Sequence, residues 1–212
     1  MNILLAAGGP ISKWPDIETN YDLYVGVDRG SFFLQQKGLP LDVAVGDFDS
    51  LDSQEQTDVF DLAKKVITSP AEKDDTDTQL ALEMVLKEYP NAKITIVGST
   101  GGRIDHFLAN LWIVLEPRFA KYCQNIYLQD RQNTIAFLLP GEHTITKEVD
   151  KQYLAYCCLT PVSDLTLTKS KYTLDNQQVL YPTSYASNEF MGSQAGVTFS
   201  KGIIAVIQSK DG

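Results

Sequence analysis

Up to residue 130 this chain alternates short apolar runs with stretches of helical spacing, and beyond that point the helical period disappears. Residues 2–7, 23–28, 43–47, 93–98 and 125–129 read as buried strands, and residues 31–37, 53–65, 77–89 and 103–115 as helices. A chain that trades strand for helix in this way builds βαβ units on a mostly parallel sheet. In the last helical stretch Ile104, Phe107, Leu108, Leu111 and Leu115 recur at three- and four-residue steps, a stripe that leaves Asp105 and His106 to one side. Then the pattern changes. Residues 134–139, 143–147, 153–159, 165–168, 196–199 and 202–208 are strand-like runs, punctuated by Pro140-Gly141, Pro161 and Asp175-Asn176. Several short strands with turn signals between them imply an antiparallel sandwich or barrel. Two modules are therefore expected, an α/β amino-terminal domain over residues 1–130 and an all-β carboxy-terminal domain over residues 131–212.

Charge and cysteine usage narrow the function. Lys plus Arg is 18 and Asp plus Glu is 27, a net charge of −9 in 212 residues, so no broad basic surface is expected and nucleic acid is not a partner. Cys123, Cys157 and Cys158 are too few, and odd in number, for a disulfide framework or a zinc cluster, which points to a reducing compartment. The adjacent pair lies on a β-rich run and reads as buried packing. The opening MNILLAAGG has no basic flank, a short apolar stretch and a Gly-Gly-Pro turn directly after it. It reads as a first buried strand entering a glycine loop rather than as an export signal. No run approaches the ~18 apolar residues of a membrane span. A soluble, cytoplasmic chain is expected.

The chemistry concentrates where strands of the first module end. Gly46-Asp47-Phe48-Asp49-Ser50 follows an apolar run, and a strand that ends in acids lifts them to the carboxyl edge of its sheet, where open α/β folds take ligands. If strand geometry persists, Asp47 and Asp49 share a face. Two like charges held that close are relieved by a hard cation, and Mg²⁺ is commonly held by one or two carboxylates with waters and phosphates. The other reading of this run is a solvated turn. Gly26-Val27-Asp28-Arg29-Gly30 is either a place where the backbone nears a ligand or a left-handed turn with a surface ion pair. In Lys73-Asp74-Asp75-Thr76-Asp77-Thr78-Gln79, Thr76 and Gln79 form a capping box, and an acid in the first turn suits the helix dipole. Neither fact accounts for Lys73 or for three carboxylates within four residues. A phosphate and metal site would, with Asp77 as a third ligand beside Asp47 and Asp49. Finally, Gly98-Ser99-Thr100-Gly101-Gly102-Arg103-Ile104-Asp105-His106 feeds a strand through a glycine loop into a helix, whose free N–H groups make an anion site. Arg103 adds a bidentate phosphate donor. The segment is neither a P-loop nor a dinucleotide fingerprint, and His106 alone is more often a capped surface or core histidine than a catalyst.

In this order and spacing, GVDRG, GDFDS, KDDTD and STGGRIDH resemble the thiamine pyrophosphokinases of the bacterial type, and Ser187-Asn188-Glu189-Phe190 is similar to a Ser-Asn segment in the β-rich domain of that family. The resemblance implies an α/β domain followed by a β-sandwich, and a homodimer with active sites shared between subunits. It also implies transfer of pyrophosphate from ATP to the hydroxyethyl oxygen of thiamine, with release of AMP. By matching motifs, Asp47, Asp49 and Asp77 would bind Mg²⁺ and, with Asp105, form the catalytic set. Asp28, Arg29, Lys73, Thr76, Gly101, Gly102 and Arg103 would surround the ATP and its phosphates. Asp105 would lie near the thiamine or the metal-bound phosphates, and Ser187 and Asn188, reaching over from the second subunit, would meet the thiamine pyrimidine. No tryptophan follows Trp112, so an aromatic face would come from Tyr185 or Phe190. Attack on the β-phosphorus of ATP calls for charge neutralisation more than for a base, and no residue is assigned as general base. The rivals are a pyrophosphokinase acting on another acceptor such as a hydroxymethylpterin, a non-catalytic sensor of nucleotide or thiamine, and a phosphatase of the haloacid dehalogenase type. The last expects Thr or Val where Leu51 stands.

Overall fold

The computed structural model describes residues 1–17, 20–70 and 74–212, so Lys73 lies outside the described residues. The chain divides into two compact units, Met1–Arg131 and Gln132–Gly212. Among the described residues of the first unit, β1 (Asn2–Ala6), β2 (Leu23–Val27), β3 (Val43–Gly46), β4 (Lys65–Thr68), β5 (Lys93–Val97) and β6 (Ile126–Gln129) form a parallel sheet. Its order is β6-β5-β1-β2-β3-β4. The helices are α1 (Arg29–Gln36), α2 (Ser53–Leu62), α3 (Asp77–Glu88), α4 (Ile104–Trp112) and α5 (Pro117–Ala120). Strands covered on both faces carry unbroken apolar runs, and Ile3, Leu4, Leu5 and Ala6 are all fully buried. The sheet order reverses at β1, whose neighbours β2 and β5 carry the chain toward opposite edges. Such a switch point opens a crevice at the carboxyl ends of the strands. There the turn after β1 meets the turn after β5, with Gly9 N donating to Gly98 O at 2.9 Å. A Cβ on Gly9 would stand 2.2 Å from Gly98 O, so this approach requires glycine.

The expected elements of this unit form with small shifts at their ends, apart from two departures. Helical structure from Ser53 stops at Leu62, short of the expected 65, and Lys65–Thr68 is an unexpected strand. β4 is a four-residue edge strand with exposed ends, and such a strand carries no apolar run to reveal it. The second departure is α4, which keeps its period but not the expected burial. Its Asn110 is the buried residue, with Nδ2 donating to Ser99 O at 3.3 Å. Ile104 and Trp112 are 75% and 52% exposed, and Phe107, Leu108 and Leu111 are only half-buried. A helical period reports an apolar face without saying what covers it.

The second unit is a sandwich of two antiparallel sheets. Its strands are β7 (Asn133–Leu138), β8 (Gly141–Thr146), β9 (Tyr153–Cys158), β10 (Val162–Thr168), β11 (Leu174–Val179), β12 (Thr183–Asn188), β13 (Gln194–Phe199) and β14 (Ile204–Ser209). One sheet runs β12-β9-β14-β7 and the other β11-β10-β13-β8. Alternate residues fill the space between them: Leu154, Tyr156 and Cys158 of β9 share one core with Leu165, Leu167, Val197 and Phe199. Cys157 points the other way, half-buried, with Sγ 3.0 Å from Ser184 Oγ. Only Cys158 of the adjacent pair is therefore core packing. The sequence predicts neither β11 nor β12, which are edge strands with mostly polar residues. Asp175-Asn176, which reads as a turn, lies within β11, where Asn176 takes φ 47 at a shift in register against β10.

Candidate active site

The turns after β1, β2, β3 and β5, with the starts of α3 and α4, enclose a cleft of about 620 Å³. After β2 the chain turns sharply at Asp28, with φ 47 and ψ −123, and enters α1. The Asp28 carboxylate crosses to the β3 turn, where Oδ1 accepts a hydrogen bond from Phe48 N at 3.2 Å. Gly46 makes room for it: a Cβ there would stand 2.0 Å from Asp28 Oδ1. Strand geometry ends at that glycine. Phe48 adopts φ 59 and buries its ring edge-on against Phe60, so the alternation that would have put Asp47 and Asp49 on one strand face is broken. The structure instead gathers Asp28, Asp47 and Asp77, whose carboxylate oxygens lie within 4.8 Å of one another. Asp49 is exposed on the cleft wall outside this trio, its N–H donating to Asp47 Oδ1 at 3.2 Å.

Asp77 opens α3, and the helix is capped as the sequence predicts. Thr76 Oγ1 accepts from Gln79 N at 3.3 Å, while Gln79 Oε1 accepts from Thr76 N at 2.7 Å. Ser69 Oγ donates to Asp77 Oδ1 at 2.7 Å. Asp75 is outside the trio, its two oxygens gripped by Arg118 of α5. Hydrogen bonds from that guanidinium hold the Asp75 carboxyl below the usual range.

Burial, then the charge of Asp77 and more weakly that of Asp47, pushes the Asp28 carboxyl up to about 7, against the lowering effect of the Phe48 N–H. The usual value is 3.8. Between those values the folded state binds more protons than the unfolded one, so stability falls as pH rises through the window and levels off above it. Thermal unfolding without divalent cations should show a Tm that declines from about pH 5 to about pH 7.5, and Asp28→Asn should flatten that decline. Equal slopes for the two proteins would remove Asp28 as the cause.

Arg29 turns its guanidinium to Glu55, with Nη1–Oε1 and Nη2–Oε2 both 3.2 Å, and to Ser50 O. It thereby ties α2 to the turn that carries Asp47 and Asp49. The GVDRG segment thus contains a positive-φ turn at Asp28, an arginine paired with Glu55 of α2, and an acid of the trio. Arg103 stands at the start of α4 without capping it and pairs with Asp105, Nη2–Oδ2 2.5 Å. Hydrogen bonds from Arg103 push the Asp105 carboxyl down to about 2. Arg29, Thr76, Gly102, Arg103 and His106 line the cleft, and Gly101 adopts φ 77 beside Lys13. Sequence reasoning missed the place of Asp28 in the trio and the part played by Gly8 and Gly9, which line the cleft next to Gly98. Two glycines directly after a fully apolar strand were the available signal. Ser99 also lines the cleft, and its buried hydroxyl has no hydrogen-bond partner among the described residues.

In the second unit Ser187, at φ 58, is exposed on β12. Asn188 is buried, and its amide is committed: it accepts from Tyr172 N and Glu189 N, both at 2.9 Å, and donates to Tyr172 O at 2.8 Å. It thereby holds the turn that carries Tyr172. Tyr185 and Phe190 pack against the sandwich core instead of standing free, whereas Tyr172 is exposed.

Residues 14–128 match the family model described as thiamin pyrophosphokinase, catalytic domain, and residues 142–204 the one described as thiamin pyrophosphokinase, vitamin B1 binding domain. Over 214 residues the chain is 38% identical to the thiamine pyrophosphokinase of Bacillus subtilis (strain 168), with 99% of each covered. Among solved structures it is similar to a thiamin pyrophosphokinase family protein from Enterococcus faecalis, with TM-score 0.98 and 57% identity over 100% of both chains. It is also similar to a thiamin pyrophosphokinase from Geobacillus thermodenitrificans, with TM-score 0.84 and 34% identity over 100% of this chain and 98% of that one.

Proposed function

The chain belongs to the thiamin pyrophosphokinase family, and from that premise we propose that it transfers pyrophosphate from ATP to the hydroxyethyl oxygen of thiamine, giving thiamine diphosphate and AMP. The observation that carries the reading is the trio Asp28, Asp47 and Asp77 beside a cleft of about 620 Å³. The donor set fits Mg²⁺: it offers oxygen ligands only, and a carboxyl pushed up to about 7 by burial and then by its neighbours' charge gains from a cation. Asp28, Asp47 and Asp77 would hold the ion, with Asp49 adjacent, and Mg²⁺ would neutralise charge on the transferring group.

The chain's own groups do the rest. The backbone at Gly8, Gly9, Gly98 and Gly102 and the uncapped start of α4 receive the phosphates. Arg103 exchanges Asp105 for phosphate oxygens, which frees Asp105 to accept the proton of the thiamine hydroxyl in a hydrogen bond and align its oxygen. Alignment contributes more than basicity when the transition state is loose. Lys73 is assigned to the nucleotide, and Ser187 to thiamine bound at the opposite subunit of a homodimer. The exposed apolar residues Ile104 and Trp112 on α4 support such an association. Free cysteines support a reducing, cytoplasmic setting; no helix among the described residues is long and apolar enough to cross a membrane.

Product analysis tests the reading. With ATP, Mg²⁺ and thiamine, AMP and thiamine diphosphate should appear in equal amounts, and chelating the cation should stop both. Inorganic phosphate as the product, AMP formed only with a hydroxymethylpterin, or binding without turnover would each select one of the rivals.

A further inference from the structure

We propose that Arg118 is a positioning residue for the acidic site, fixing the start of α3 so that Asp77 stays beside Asp28 and Asp47. Its guanidinium grips Asp75 with a two-pronged pair, Nη1 to Oδ2 at 2.8 Å and Nη2 to Oδ1 at 2.6 Å. Nε donates to Glu116 Oε2 at 2.8 Å, and the other Glu116 oxygen accepts from Gln79 Nε2. Gln79 in turn holds Thr76 N. One cation from α5 therefore secures the chain on both sides of Asp77, at Asp75 directly and at Gln79 through Glu116.

The restraint opposes a definite force. Carboxylates gathered within 4.8 Å repel one another, and the first turn of a helix is where a chain most readily moves to relieve that repulsion. Arg118 is 32% exposed and Asp75 27%, so water screens the cluster and its share of overall stability is modest. Its consequence is placement, since a metal ligand depends on the groups that orient it. The arrangement also accounts for Asp75, one of the two acids of the KDDTD run that the trio leaves out.

The inference rests on the trio holding a divalent cation, so the test separates the two. Mn²⁺ binding by the full-length protein is followed by electron paramagnetic resonance without nucleotide, alongside thermal unfolding and kinetics at varied Mg²⁺. Arg118→Gln should weaken Mn²⁺ binding by about tenfold or more and raise the Mg²⁺ requirement in parallel, with the KM for thiamine changed by less than about twofold. Arg118→Lys should recover only part of the loss, because an ammonium lacks the planar fork. If Asp77→Asn loses Mn²⁺ while Arg118→Gln binds it normally, the positioning role is overturned and the metal site stands. If Asp77→Asn itself binds Mn²⁺ normally, the metal site falls and the inference with it. Should Arg118→Gln fail to fold, Asp75→Asn and Glu116→Gln each remove one arm, and normal Mn²⁺ binding by both would overturn the proposal.

Discussion

Asp47→Asn is expected to slow turnover by about 10²–10³-fold at saturating substrates, a loss of ~3–4 kcal/mol of transition-state stabilisation. The fold should survive it. Asp47 is half-buried beside Asp28 and Asp77, and removing one of three repelling charges relieves the metal-free protein. Calorimetry should therefore show an unchanged or higher Tm next to the lost activity. Asp49→Asn supplies the contrast. Because Asp49 is exposed and outside the trio, its loss should be smaller by about tenfold, as for a group that acts through a ligand rather than as one. Wild-type turnover in Asp47→Asn, or the larger effect at Asp49, would move the metal site away from the trio.

The largest effect on stability is expected at Gly30. A Cβ there would lie 1.9 Å from Ala6 O and 2.6 Å from Ala6 C, so Gly30→Ala must push α1 away from the end of β1. Overpacking of this kind costs up to ~3 kcal/mol, and more where backbone is the obstacle; for a chain of this size that lowers Tm by roughly 6–12 °C. Gly38→Ala is the control. Gly38 has φ +66 with nothing within 4 Å of a built Cβ, so it tests conformational strain alone, worth about 1–2 kcal/mol. Similar shifts for the two variants would show that space at the α1–β1 contact is not what Gly30 provides.

The sequence revealed elements wherever burial imposed a period. The central strands and α3 were legible because they bury residues such as Leu4, Ile96, Leu82 and Val85. β4, β11 and β12 were not, because edge strands bury little and leave no pattern. The site was legible as a set of residues more than as an arrangement. GDFDS, KDDTD and STGGRIDH each supply groups to the cleft, but the grouping of Asp28 with Asp47 and Asp77 depends on backbone angles at Asp28, Gly46 and Phe48. Alternation cannot anticipate residues that leave the strand. Asn188 shows a related limit: a polar residue looks wholly available in sequence, and only the structure shows the hydrogen bonds its amide already makes.

Where Gly9 meets Gly98 the bottom of the cleft is main chain, and amides there cannot be exchanged for other chemistry by mutation. At Gly98 a side chain would strike Ala7 O at 2.2 Å, as one at Gly9 would strike Gly98 O. A substitution at either position can obstruct the pocket but cannot retune it. Such a surface is indifferent to which base or acceptor lies above it. Any difference in what this cleft binds must therefore come from the side chains of its walls, such as Arg29, Asp49, Thr76, Arg103 and His106.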